Sequence, residues 1–224
     1  MARFDQLEND GNSGSLQERV FVQIQDDILN GKYKPGDSLI ELRLSQELGV
    51  SRTPVREALK QLELQGLVQS TPNKGTIVTG ISNQDIYDIY TIRMKIEGLA
   101  ARWAAEKITP EELAELKEAV ELEEFYTMKN DVGQLYKYDN SFHYIIFKAS
   151  KSRPLMHTLS TFHHYLQRAR NASFSTPGRA RKALEEHQAI LQALMERDPE
   201  KAEKLTEKHI RNAMNNLLKK NSMS

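Results

Sequence analysis

The sequence predicts a mainly helical chain: three short helices and a small strand pair near the N-terminus, then an antiparallel all-helical bundle. Three observations carry this. Apolar residues recur at helical spacing through most of the chain. Two β-branched stretches, Leu67–Ser70 and Thr76–Thr79, stand apart around the turn-forming Thr71-Pro72-Asn73-Lys74-Gly75. Beyond Gly80 the pattern is helical throughout, with strong start signals and no strand signal.

The elements follow in order. Residues 1–14 are polar and rich in Gly and Asn and read as a frayed tail. From Leu16 to Asn30, Val20, Ile24 and Ile28 mark one helix face, and Gly31 ends it before the Lys34-Pro35-Gly36-Asp37 turn. A short helix is expected over Glu41–Leu48, stopped by Gly49. Ser51 is placed to cap a further helix running to about Gln65. In the remainder, Ser82 with Asp85, Thr109-Pro110-Glu111-Glu112 and Asp198-Pro199 are helix starts, and Ser173–Gly178 separates two helices. About six helices are expected between Gln84 and Lys220. The resulting division is a tail (1–14), an N-terminal domain (15–81) and a helical domain (82–220).

Composition excludes several classes. With no cysteine among 224 residues, there is no disulfide, thiol nucleophile or Cys-ligated zinc. No apolar run reaches the ~18 residues of a membrane span and no N-terminal signal pattern is evident, so a cytoplasmic protein without membrane association is expected. The 31 Lys and Arg balance 31 Asp and Glu. Within residues 32–80, however, Lys32, Lys34, Arg43, Arg52, Arg56, Lys60 and Lys74 outnumber Asp37, Glu41, Glu47, Glu57 and Glu63. That modest basic excess permits phosphate binding without establishing it.

Two helices joined by a tight Gly-containing turn, Leu44 through Leu59, form a helix-turn-helix. Arg52, Arg56 and Lys60 repeat every four residues and share a face opposite Val55, Leu59 and Leu62. A basic face is commonly only solvated. On the second helix of such a pair it suits the major groove, where a guanidinium fork reads guanine or grips phosphate. Asn73-Lys74-Gly75 at the hairpin tip is then a wing, or else a plain turn. Arg43 is at most a phosphate contact.

In the helical part, polar residues interrupt apolar stripes. Asp139 lies with Leu135, Phe142 and Ile146, and His143 follows one turn later. His187 lies with Leu184, Ile190 and Leu191, and His209 with Leu205, Ala213 and Leu217. A buried carboxylate needs a cation, a proton or a metal. Core histidines are often merely hydrogen-bonded, but these four side chains also suit one divalent ion. Zinc, nickel, manganese and iron all fit the donor set, with zinc first among them. Arg93 lies on the stripe Ile86, Ile89, Glu97, Ala100 and is read either as an anchor for a carboxylate ligand or as an ion pair with Glu97. His163 and His164 are read as surface or core residues, with the alternative that one of them edges the ligand pocket; His157 carries no signal, and Trp103 reads as core.

Residues Leu16–Ile81 resemble the winged helix-turn-helix of the GntR family of bacterial transcription regulators. The matching residues are the helix ending at Gly31, the Pro35-Gly36 turn, the run Leu48-Gly49-Val50-Ser51-Arg52-Thr53-Pro54-Val55-Arg56-Glu57-Ala58-Leu59, and Gly66-Leu67-Val68 followed by Asn73-Lys74-Gly75. The resemblance implies that Ser51, Arg52, Thr53, Arg56 and the wing Gly75, with Lys74 beside it, touch a DNA operator. Ile81–Lys219 is similar to the FCD, or FadR-like, type of ligand-binding domain. Its metal-binding members carry an Asp-x-x-x-His pair and two later histidines, here Asp139, His143, His187 and His209. This implies a transcriptional regulator, expected to be a repressor and a homodimer on a pseudo-palindrome, controlled by a small organic acid bound near the metal. Two alternatives remain at this point: a regulator whose metal is structural or is itself the signal, and a metal-dependent hydrolase, for which no separate general base is evident.

Overall fold

A computed structural model describes residues 15–71, 75–174 and 176–221; Lys74 and the expected tail lie outside them. The chain divides into two compact units between Ser82 and Asn83.

In the first unit, α1 (Leu16–Leu29), α2 (Glu41–Leu48) and α3 (Arg52–Leu64) accompany β1 (Ser38–Leu39), β2 (Val68–Thr71) and β3 (Gly75–Val78). The strands form an antiparallel sheet in the order β1-β3-β2, with Leu39 opposite Thr76 and Val68 opposite Val78. β1 was not expected, because two residues are too few for an alternation to register. Val20, Ile24 and Ile28 of α1 are buried, as are Leu44, Leu48, Val55, Leu59 and Leu62 of the helix pair. Gly49 has φ +70°, and its N–H donates to the Ser45 carbonyl. This left-handed stop turns the chain sharply into α3, a conformation an L side chain resists. Ser51 occupies the N-cap position of α3, yet its hydroxyl makes no capping bond, contrary to expectation.

The second unit holds seven helices among the described residues rather than about six: α4 (Asn83–Lys107), α5 (Pro110–Lys129), α6 (Val132–Ala149), α7 (Arg153–Tyr165), α8 (Gln167–Phe174), α9 (Arg179–Met195) and α10 (Pro199–Asn221). The extra one arises at Leu166, where the chain breaks between α7 and α8 with no Gly or Pro to announce it. Thr109 and Glu112 complete a reciprocal capping box, and Pro110 opens α5. The main core joins Ala101, Ala104 and Ile108 to Leu116 and Val120, Phe142 and Ile146, Ile190 and Leu194, and Ala202. α10 runs along α4 over the most extensive helix contact in the unit. Gly98 permits that approach: a Cβ there would lie 2.9 Å from the Glu207 Cγ.

Candidate metal centre and nucleic-acid interface

Helix periodicity brings Asp139 and His143 to the interior one turn apart on α6, His187 inward from α9 and His209 from α10. All four are buried. One nitrogen from each of His143, His187 and His209 lies within 4.8 Å of the other two. The Nε2 atoms of His143 and His187 lie 3.9 and 3.8 Å from Asp139 Oδ1.

The other face of each ring explains this convergence. His143 Nδ1 is 3.0 Å from Glu97 Oε2, His187 Nδ1 is 2.7 Å from Glu123 Oε2, and His209 Nδ1 is 2.8 Å from Glu186 Oε2. At His187 and His209 the carboxylate accepts, so Nδ1 donates and the neutral ring keeps its lone pair at Nε2; Glu97 Oε2 lies beside His143 Nδ1 without a hydrogen-bond partner. His187 Nε2 and His209 Nε2 lie 3.3 Å apart. With both rings neutral, two lone pairs face across that gap, a repulsion that a shared proton or a bound cation relieves. Two nitrogens held tetrahedrally at zinc distances are about 3.3 Å apart, so the residues fit a zinc-like ion. The carboxylate-to-imidazole relay is the usual support of a ligating histidine.

Electrostatics favour the ligating forms at most of these positions. Burial, against the pull of Glu97, pushes His143 below the ordinary imidazole value. Burial also takes His209 down to about 3 despite Glu186. At His187 burial is outweighed by Glu123, and the value is raised. Burial opposes ionisation of Asp139, but Arg170 and the imidazoles outweigh it and hold the carboxyl below its usual range.

Sequence reasoning missed several partners. Arg170, buried on α8, donates to Asp139 Oδ2 and so answers the need for a counter-cation. Glu123 follows Leu116 and Val120 on an inward stripe of α5, a signal the sequence held. Glu186 and Arg179, 3.1 Å apart, had none. His163 accepts from Arg170 at Nδ1, and its Nε2 lies 3.1 Å from Glu97 Oε1, so both nitrogens are engaged. Arg93 forms the alternative foreseen for it, an ion pair from Nε to Glu97 at 2.6 Å, while its buried Nη1 has no hydrogen-bond partner. Arg93, Arg170 and Arg179 line one cleft with Asp139, His143 and His209. Trp103 is half-buried under the Lys107 ammonium rather than in the core, and His157 is exposed.

In the first unit, Arg52, Arg56 and Lys60 are exposed along one face of α3, with Ser51 and Thr53 exposed at its start. Gly75 begins β3 with φ +77° and is also exposed. Arg52 Nη2 donates to Glu41 Oε2 at 3.1 Å. Arg56 donates through Nε and Nη2 to the two oxygens of the same carboxylate, both at 3.0 Å.

A three-helix winged helix-turn-helix and a helical bundle with a buried His/Asp cluster define a DNA-binding transcriptional regulator. Residues 16–78 match the model for "Bacterial regulatory proteins, gntR family" and residues 88–212 match that for the FCD domain. The chain belongs to the GntR family of bacterial regulators and carries an FCD domain. It is 30% identical over 190 residues to the HTH-type transcriptional regulator McbR of Escherichia coli, covering 80% of this chain and 84% of that protein. It is 29% identical over 185 residues to YdhC of Bacillus subtilis, an HTH-type transcriptional regulator, covering 82% and 83%. The solved structure of E. coli McbR/YncC superposes with a TM-score of 0.74 at 26% identity, covering 92% of this chain and 99% of that one. The protein is thus a regulator and not an enzyme, which removes the hydrolase alternative. No helix among the described residues is long and apolar enough to cross a membrane.

Proposed function

We propose that this regulator is a homodimeric repressor whose operator affinity is set by a small carboxylate bound beside a divalent metal. Asp139, His143, His187 and His209 hold the metal, with zinc first among the candidates. The single observation that carries the reading is the convergence, within 4.8 Å of one another, of one nitrogen from each of His143, His187 and His209, each ring with a glutamate beside its Nδ1. The metal supplies a Lewis-acidic centre with open positions that an anionic oxygen fills. Arg93, through its unpartnered Nη1, and Arg170 supply the donors that would orient that carboxylate. Ligation ties α6, α9 and α10 together and so biases the bundle.

On the DNA, Arg52 and Arg56 read base edges, Ser51 and Thr53 meet phosphate at the start of α3, and Lys74 and Gly75 act from the wing. One recognition helix makes few base contacts, so two copies read two half-sites of a pseudo-palindrome.

The test is elemental analysis of untagged protein, of His187→Ala and of His209→Ala, with melting and operator affinity measured against a panel of organic acids. Wild type is expected to carry one metal per chain, the variants to lose it, and at least one acid to shift both melting and operator affinity. Equal metal content in the variants, or a wild type that never holds metal, refutes the site. Metal without any response to an acid leaves it structural and removes the sensing role.

A further inference from the structure

The exposed arginines of α3 do not hang free. Glu41, the first residue of α2, lies across the turn from them and is partly shielded, with 27% of its side chain exposed. Its two oxygens accept three hydrogen bonds, two from Arg56 and one from Arg52. The guanidiniums hold the Glu41 carboxyl below its ordinary value, Arg56 foremost. Lys60, one turn further along the same face, is not part of this arrangement and pairs with Glu57 instead.

Which donors Glu41 uses matters. A guanidinium carries five N–H donors in a rigid fork. Glu41 takes the Nε/Nη2 edge of Arg56 and leaves the Nη1/Nη2 end with donors to spare. From Arg52 it takes a single Nη2 hydrogen. The end of each fork is an edge that can address O6 and N7 of guanine. The carboxylate therefore need not leave when DNA arrives. A long exposed arginine otherwise samples many rotamers and settles readily on the nearest phosphate, which carries no sequence information. Holding two forks from behind restricts them to one direction, and a negative charge beside them offsets their indiscriminate attraction to the backbone.

We propose that Glu41 is a positioning residue for sequence reading: it braces Arg52 and Arg56 from behind, so that they discriminate bases instead of binding phosphate generally. This rests on Arg52 and Arg56 meeting DNA and is independent of the metal centre.

The experiment selects duplexes from a randomised library with full-length wild type, Glu41→Gln, Arg52→Ala and Arg56→Ala. Affinities for the selected operator and for random duplex are then compared across a salt series. Glu41→Gln keeps the size and shape of the side chain and removes its charge. Its operator-to-random affinity ratio is expected to fall about tenfold, the scale of one bidentate base contact. Random-duplex affinity should hold or rise, with a steeper salt dependence as freed arginines reach phosphates. The base positions that lose preference should be those lost in Arg52→Ala and Arg56→Ala, with Glu41→Ala giving the same pattern.

An unchanged ratio overturns the proposal. So does an equal loss of operator and random binding, or a loss of preference spread evenly over the motif, either of which marks a general structural role. A rise in operator affinity overturns it too, making Glu41 a competitor that DNA must displace. A wild type that selects no motif refutes the DNA-reading assignment itself, and this inference with it.

Discussion

At the residue scale, the histidine cluster depends on the carboxylates behind it, Glu97, Glu123 and Glu186. Glu123 is the sharpest case. It is fully buried, its Oε2 accepts from His187, and its Oε1 has no hydrogen-bond partner. The His187 ring is also stacked on Phe142, with centroids 4.0 Å apart, so packing alone keeps it close to its place. Glu123→Gln preserves volume while removing the charge that makes His187 basic. It should therefore weaken metal binding about 10–100-fold with little change of fold, as loss of such a supporting carboxylate does elsewhere. A competition titration with a metallochromic indicator reads this directly, and an affinity equal to wild type would remove Glu123 from the relay. Of the residues involved, Asp139 and the three histidines were legible because polar groups on apolar stripes are conspicuous. Arg170 was not, because the break at Leu166 interrupts the stripe that would have carried it inward.

At the element scale, the site depends on how closely α4 and α10 approach. α4 supplies Glu97 and Arg93, and α10 supplies His209, so their separation is transmitted to the cluster. Gly98 faces Glu203 and Glu207 of α10, and any Cβ there already forces a shift. Gly98→Val adds a β-branched side chain at that contact, and overpacking of this kind costs about 1–3 kcal/mol. A calorimetric scan should show the melting temperature lowered by several degrees, at roughly 2–4 °C per kcal/mol for a chain of this size. Metal affinity should fall with it. A variant that melts and binds metal like wild type would mean that α10 shifts freely at this point. A Gly in mid-helix reads from sequence as a small propensity penalty; its use as a contact surface depends on a helix about a hundred residues away.

At the scale of the whole molecule, burial of several imidazoles makes stability depend on pH. His143 and His209 are pushed down chiefly by burial, and His163 by burial and then Arg170; only His187 is raised, by Glu123 outweighing burial. For the three depressed groups the unfolded chain takes up protons first, near the ordinary imidazole value of about 6.5. Their contribution is complete above that value and declines as the pH falls, for His209 down to about 3. His187 acts in the opposite sense: its contribution is present below the unfolded value and is lost as the pH rises through its raised one. With His163 held well below its ordinary value and His209 down to about 3, the depressed groups set the sign, so the metal-stripped protein should melt at a lower temperature at about pH 5 than at about pH 7.5. A flat or inverted profile between those limits would show that the imidazoles are not held neutral as described.

The sequence by itself determined the architecture and the class of protein. Periodicity, glycine stops and capping residues act within a few positions of one another, so the winged helix-turn-helix, the starts of α5 and α10 and the inward faces of α6, α9 and α10 are written locally. Tertiary structure decided what each polar group meets. Asp139 turned to Arg170, and Glu123 and Glu186 each to a histidine, while Arg52 and Arg56 converged on Glu41 from a neighbouring helix. Those partners are as far apart in sequence as His187 and Glu123, 64 positions. Electrostatic and hydrogen-bond pairing is set by distance in space and by burial, neither of which a local pattern of residues specifies.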